Sequence, residues 1–229
     1  MSPSGQCNLN AVTRPLNPAG KKHRFGKAWM HEHLNDAYVR EATRLGYRSR
    51  SAIKLIELAE KDKLLRRGMA VVDLGSAPGS WCQVLKERLG PQGRIIAVDM
   101  LPMAPVSGVT FVQADFSTDE GLAAVDAAVA GTPVDLVISD MAPNLSGIDT
   151  VDQARSVHLA ELALEFASDV LQPSGDFVVK VFQGSGLADL QRTVAARFAK
   201  TYVRKPKASR DRSREVFIVA KQRLGDGAH

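Results

Sequence analysis

The sequence predicts an α/β fold: a doubly wound, mostly parallel sheet with helices on both faces. Three observations predict it. Short apolar, β-branched runs alternate with amphipathic helical stretches from about residue 69 to residue 220. The first run ends in a glycine-rich turn that opens a helix, "VVDLGSAPGSW", residues 71–81. Acidic residues then close three successive runs, at Asp99, Asp115 and Asp140.

The elements follow in order. Residues 1–28 are rich in Pro, Gly, Asn and Lys without a period, and read as a disordered basic extension. Its charges (Arg14, Lys21, Lys22, Arg24, Lys27) suit an RNA-tethering arm better than a mitochondrial targeting helix, which its prolines and glycines oppose. From about residue 34 the spacing is helical. "MAVVDLG" is a first strand, with a helix over 80–89. "RIIAVD" and "VTFVQAD" are the second and third strands, followed by a helix over 119–130. "VDLVISD" is the fourth, then a helix over 152–171, the strand "DFVVKVF" and a helix over 187–199. "TYVRKP" and "EVFIVA" close the domain, and the short basic link between them predicts an antiparallel hairpin. The expected organisation is an extension over 1–30, one domain over 31–222 and a tail over 223–229. No repeat is present.

Composition narrows the function classes. The chain has 229 residues, enough for one sizeable domain. No apolar run reaches the ~18 residues of a membrane span. Two cysteines, Cys7 and Cys82, make no disulfide framework and suit a reducing compartment, so a cytoplasmic location is expected. Charge is segregated. Residues 1–54 carry 10 Lys/Arg against 3 Asp/Glu, residues 55–199 carry 11 against 19, and residues 200–229 carry 9 against 3. Two basic ends around an acidic middle would make a polyanion-binding patch if they converge, or solvated tails if they do not.

The glycine turn places a nucleotide-like ligand at the end of the first strand. Gly75 and Gly79 allow close backbone approach, with Ala77 and Pro78 between them. Ala77 stands where a dinucleotide fingerprint needs glycine, and no G-K-[ST] follows for a P-loop. Asp73, Asp99 and Asp115 are poor company for a pyrophosphate but suit S-adenosylmethionine (SAM), whose sulfonium is positive. The segment "SDMAP", residues 139–143, lacks the aromatic that stacks on a base during amine methylation. Neither cysteine is placed to act as a nucleophile on a pyrimidine carbon. Oxygen methylation is the best remaining fit.

The strand "GDFVVKVFQG", residues 175–184, sets Lys180 among five apolar β-formers. A buried ammonium is costly unless something offsets it. A lysine with a reference pKa of ~10.4 becomes a usable general base when burial and a second cation lower that value. A buried structural ion pair with Asp140 is the alternative, and less favoured, reading of Lys180. The link over 204–214 holds Arg204, Lys205, Lys207, Arg210, Arg212 and Arg214, and a second basic run (Arg40, Arg44, Arg48, Arg50) precedes Lys54. Of these, Arg48, Arg50, Lys205, Lys207, Arg210, Arg212 and Arg214 are the candidate RNA contacts.

Together, "RSRSAIKL", "VVDLGSAPGSW", "SDMAPNLSG", "VVKVFQG" and "SRDRSREVFIVA" closely resemble the FtsJ (RrmJ, RlmE) ribosomal RNA methyltransferases, from about residue 34 to residue 221. The resemblance implies the SAM-methyltransferase, Rossmann-like fold, with seven strands of which the last is antiparallel. It implies SAM as methyl donor, S-adenosylhomocysteine as product, and methylation of a uridine ribose 2′-hydroxyl in the A loop of large-subunit ribosomal RNA. The implied catalytic residues are Lys54, Asp140, Lys180 and Glu215, with Lys180 as general base. The implied cofactor contacts are Gly79, Trp81, Asp99, Asp115 and Asp140. The expected partner is the large ribosomal subunit; no metal, membrane or DNA partner is expected, and a monomer is the simplest assembly. Transfer RNA or organellar ribosomal RNA as target, or a non-catalytic ribosome-assembly role, are the alternatives.

Overall fold

A computed structural model describes residues 36–210 and 212–225; the expected extension over 1–30 lies outside the described residues. Two short helices come first: α1 (Ala37–Arg44) and α2 (Ser51–Asp62). The Asp36 carboxylate caps α1 by accepting from the Tyr38 amide at 2.9 Å. One helical region was expected here, and the chain instead breaks it at Gly46, whose φ of +80° ends α1. The sheet is built from β1 (Ala70–Leu74), β2 (Arg94–Asp99), β3 (Val109–Gln113), β4 (Val134–Ser139), β5 (Leu171–Phe182), β6 (Phe198–Arg204) and β7 (Glu215–Arg223). Between them lie α3 (Ser80–Leu89), α4 (Asp119–Val129), α5 (Asp149–Val170) and α6 (Leu187–Ala195).

The strand order is β3-β2-β1-β4-β5-β7-β6, with β7 antiparallel to both neighbours and the β3-β2-β1-β4-β5 pairings parallel. The last strand is thus inserted between β5 and β6, and the expected hairpin is the β6–β7 pair. β7 continues one residue past the expected end of the domain, and the Leu224 amide donates to the Arg197 carbonyl at 2.9 Å. α6 stops at Ala195, four residues earlier than its periodicity suggests, because Phe198 already belongs to β6 and stacks on Phe177 with ring centroids 6.0 Å apart.

Alternation along the strands divides the core into two layers. Val72, Leu74, Val137, Val179, Val181 and Ile218 face α4, α5 and α6. Val71, Leu136, Ile138, Val178, Phe217 and Val219 face α2 and α3, where Trp81 packs against Phe217 at 6.0 Å. Among the described residues, no helix is long and apolar enough to cross a membrane.

The second layer also holds a fully buried carboxyl. Asp73 shares the face of Val71, and its Oδ2 accepts from the Cys82 thiol at 3.2 Å while Oδ1 has no hydrogen-bond partner. Burial pushes this carboxyl up to about 7; the Cys82 hydrogen bond pulls the other way, and the charges of Asp140 and Asp99 add to the rise. An acid whose folded pKa lies above its unfolded value binds more protons when folded between the two. Stability therefore falls as pH rises from about 4 to about 7. At about 1.4 kcal/mol per pKa unit, the fall between pH 5 and pH 8 is about 3 kcal/mol from this group. We expect Asp73→Asn, compared with wild type by urea unfolding at pH 5 and pH 8, to lose less stability across that interval by a comparable amount. Parallel losses in the two proteins would mean that Asp73 is ionised throughout.

Candidate active site

The alternation that builds the second layer also assembles the site. Leu136 and Ile138 point into this layer, so Asp140, the residue after β4, points the same way, and its amide extends the ladder by donating to the Leu74 carbonyl at 3.0 Å. On β5, Val178 and then Lys180 share that face. Lys180 stands opposite Phe217 and Phe182 opposite Glu215 in the antiparallel β5–β7 register, so Glu215 joins them. α2 lies across this layer through Leu55 and Leu58, and presents Lys54 to the same spot.

Two ion pairs result. The Lys180 ammonium lies 2.8 Å from Asp140 Oδ1 and donates to the Asp140 carbonyl oxygen at 2.5 Å. Lys54 Nζ lies 2.6 Å from Glu215 Oε1, above the Phe217 ring at 6.0 Å from its centroid. Asp140 Oδ2 accepts from the Ser51 hydroxyl at 2.7 Å. Burial alone would raise the Asp140 carboxyl, but the charges of Lys180 and Lys54, with the hydrogen bonds from Lys180 and Ser51, hold it below the ordinary carboxylate range. A cleft of about 490 Å³ opens over this group, walled by Arg50, Ser51, Lys54, Asp140, Arg210 and Glu215 among others. Lys180 is only 8% exposed and sits one contact deeper, behind Asp140.

The glycine turn adjoins the site through β1 and β4. Gly75 and Gly79 hold φ of +79° and +98°. A Cβ on Gly75 would stand 2.8 Å from the Met141 amide nitrogen, and one on Gly79 would stand 2.5 Å from Arg48 Nη1. The first of these two cradles is backbone against backbone, which no substitution relaxes. Asp99 spans the turn: Oδ2 accepts from the Ala77 amide and Oδ1 from the Leu101 amide, both at 2.8 Å. Asp115 is exposed beyond β3, where Ser117 donates to it through amide and hydroxyl and lowers its pKa. Trp81 does not line the cleft; its ring is buried and its Nε1 donates to the Ser51 carbonyl at 2.8 Å, tying α3 to the start of α2. Open glycine backbone flanked by Asp99, Asp115 and Asp140 is a donor set that fits a cationic methyl donor.

The candidate RNA contacts separate into kinds. Arg48 is committed to three carbonyls, those of Pro78, Ala104 and Pro105, at 2.7–2.9 Å, so it braces the glycine turn. Arg50 pairs with Asp36 and reaches the Ala208 carbonyl; burial and then the nearby Arg210 charge lower its pKa. Lys205 donates to the Ser213 carbonyl at 2.8 Å, and Arg214 pairs with Asp149 at 2.9 Å. Lys207 is exposed, and Arg210 and Arg212 line the cleft. Sequence reasoning missed Ser51 and Asp36. A serine three residues before a lysine and an aspartate before a helix carry no signal of what they meet across the fold.

Comparison with known proteins gives the family. Residues 47–223 match the FtsJ-like methyltransferase family. Ribosomal RNA large subunit methyltransferase E of Azoarcus sp. (strain BH72) is 58% identical over 199 residues, covering 87% of this chain and 97% of that protein. The protein of that name from Methylobacillus flagellatus is 53% identical, covering 89% and 98% respectively. A crystal structure assigned as a ribosomal RNA methyltransferase from Plasmodium falciparum superimposes with a TM-score of 0.71 at 31% identity, over 78% of this chain and 100% of that one. With the family spanning Tyr47 to Arg223, and so every strand and the whole glycine turn, the chain belongs to the FtsJ-like methyltransferases.

Proposed function

We propose that this protein transfers a methyl group from SAM to the 2′-hydroxyl of a uridine ribose in large-subunit ribosomal RNA, with Lys180 as general base. The observation that carries the reading is the pair of lysine–carboxylate contacts at one cleft wall, beside a glycine turn that a side chain would close. The large-subunit RNA target rests on the names of the relatives, of which the chain covers 97–98%. We assign the domain over 31–222 to this activity.

Bound at the turn, SAM would supply an electrophilic methyl group on a positive sulfonium. Gly75, Ala77, Pro78 and Gly79 would admit its backbone-sized parts, Asp99 and Asp115 would take its hydroxyl and amine donors, and Asp73 and Trp81 would hold the turn from below. A ribose hydroxyl is a weak nucleophile and needs its proton removed as it attacks. Once its ammonium has given up a proton to solvent, the neutral Lys180 Nζ takes the hydroxyl proton as the oxygen attacks the methyl group and S-adenosylhomocysteine leaves. Asp140 aims the lysine through its carboxylate and its carbonyl, and Ser51 fixes the carboxylate. Lys54, held by Glu215, faces the cleft and positions the ribose. Arg210 and Arg212, which line the same cleft, meet the flanking phosphates.

Lys180→Ala should lower single-turnover methylation by at least the ~10²–10⁴ typical of a general base. SAM affinity by calorimetry should stay near wild type; a matching loss of affinity would make Lys180 a structural residue. Arg210→Ala should weaken RNA binding and reduce the salt slope by about one unit. An unchanged slope would take Arg210 out of the RNA interface.

A further inference from the structure

The segment from Met141 to Ile148 joins Asp140 to α5 and carries two large aliphatic side chains in solvent, Leu145 at 70% and Ile148 at 59% exposure. Single exposed apolar residues are ordinary, but two only three residues apart on one braced loop that follows the cleft residue Asp140 are not. The bracing is specific. Asp152, only 4% exposed, accepts from the Ser146 amide and hydroxyl at 2.7 Å each and from the Gly147 amide at 3.2 Å. The Ser146 hydroxyl accepts in turn from the Ile148 amide at 3.2 Å. One end of the segment borders the cleft wall and the other is tied to a neighbour of it. It begins at Asp140, and its last turn is tied through Asp149 to Arg214, the residue between the wall residues Ser213 and Glu215.

The surroundings are basic. Arg155 donates to the Asn144 carbonyl at 3.3 Å, Arg214 neutralises Asp149, and Arg210 and Arg212 line the cleft nearby. A rigid aliphatic step rimmed by guanidinium groups fits a ligand with flat apolar faces on an anionic chain. A single-stranded nucleic acid has that chemistry, and apolar side chains, Leu and Ile among them, pack against the faces of unstacked bases.

We propose that Leu145 and Ile148 form an apolar ledge for a nucleobase of the substrate beside the methylated ribose, and that Asp152 is the positioning residue that holds the ledge in place. The inference rests on the RNA-methylating reading above. It makes base packing, in addition to phosphate contact, part of how the acceptor is set against Lys180.

The test uses the full chain and large ribosomal subunits that lack the modification. For Leu145→Ala/Ile148→Ala, KM for the subunits should rise about ten-fold with kcat within about two-fold. SAM affinity and melting temperature should be unchanged, because both side chains are exposed. The salt slope should also stay at its wild-type value, since no charge is removed. Asp152→Asn, checked by its melting curve, should raise KM in the same way. A benzophenone amino acid placed at position 145 should cross-link to RNA within a few nucleotides of the acceptor. Unchanged KM in the double variant, or a cross-link to a ribosomal protein, overturns the ledge while leaving the methylation reading intact. Failure of wild type to methylate the subunits at all would remove that reading, and the ledge with it.

Discussion

Burying the Lys180 ammonium inside an apolar strand is tolerable because Asp140 stands 2.8 Å away, and that contact dictates much of the geometry around it. Desolvating each ion costs several kcal/mol, which a close pair recovers only with good geometry and further hydrogen bonds. Asp140 supplies a carboxylate and a carbonyl to the same ammonium, and Ser51 satisfies the second carboxylate oxygen. β4 and β5 must therefore be parallel neighbours in one register, with Ser139 beside Val179. The antiparallel β7 must then deliver Glu215 to the same face, where Lys54 meets it.

The sheet order places this pair where a methyltransferase can use it. β1 and β4 are adjacent, and the chain reverses its direction of travel across the sheet between them. The glycine turn after β1 and Asp140 after β4 therefore share one edge, which is where open α/β sheets bind their ligands. The close approach of Gly75 to the Met141 backbone joins the two loops. Arg48 reaches from the connection between α1 and α2 to close the turn from the other side.

The strands were legible because apolar β-branched runs bounded by glycines and acids leave few readings. Lys180 was legible for the same reason, as a lone cation in a buried run. Lys54 and Glu215 were not legible from pattern alone: an exposed-looking helix lysine and a glutamate opening a strand gain meaning only through tertiary contact, and the family resemblance supplied it. Charge pattern is silent on the partners of Arg48. It cannot separate a cation that faces solvent from one whose guanidinium is spent on Pro78, Ala104 and Pro105 carbonyls. Trp81 entered through the family resemblance, and pattern alone does not record that its buried ring packs against Phe217. Helix ends at Gly46 and Ala195 were set by a left-handed backbone and by the stacking of Phe198, neither of which periodicity records.

The most direct measurement of the central claim is the chemical position of the transferred methyl group. Unmodified large ribosomal subunits would be incubated with the protein and isotopically labelled SAM, digested to nucleosides and resolved by mass spectrometry. The arrangement of Lys180, Asp140, Lys54 and Glu215 predicts label on a ribose 2′-oxygen, and the family resemblance implies that the nucleoside is 2′-O-methyluridine. Label on a base carbon or an exocyclic amine, or no product from protein that binds SAM, would contradict it.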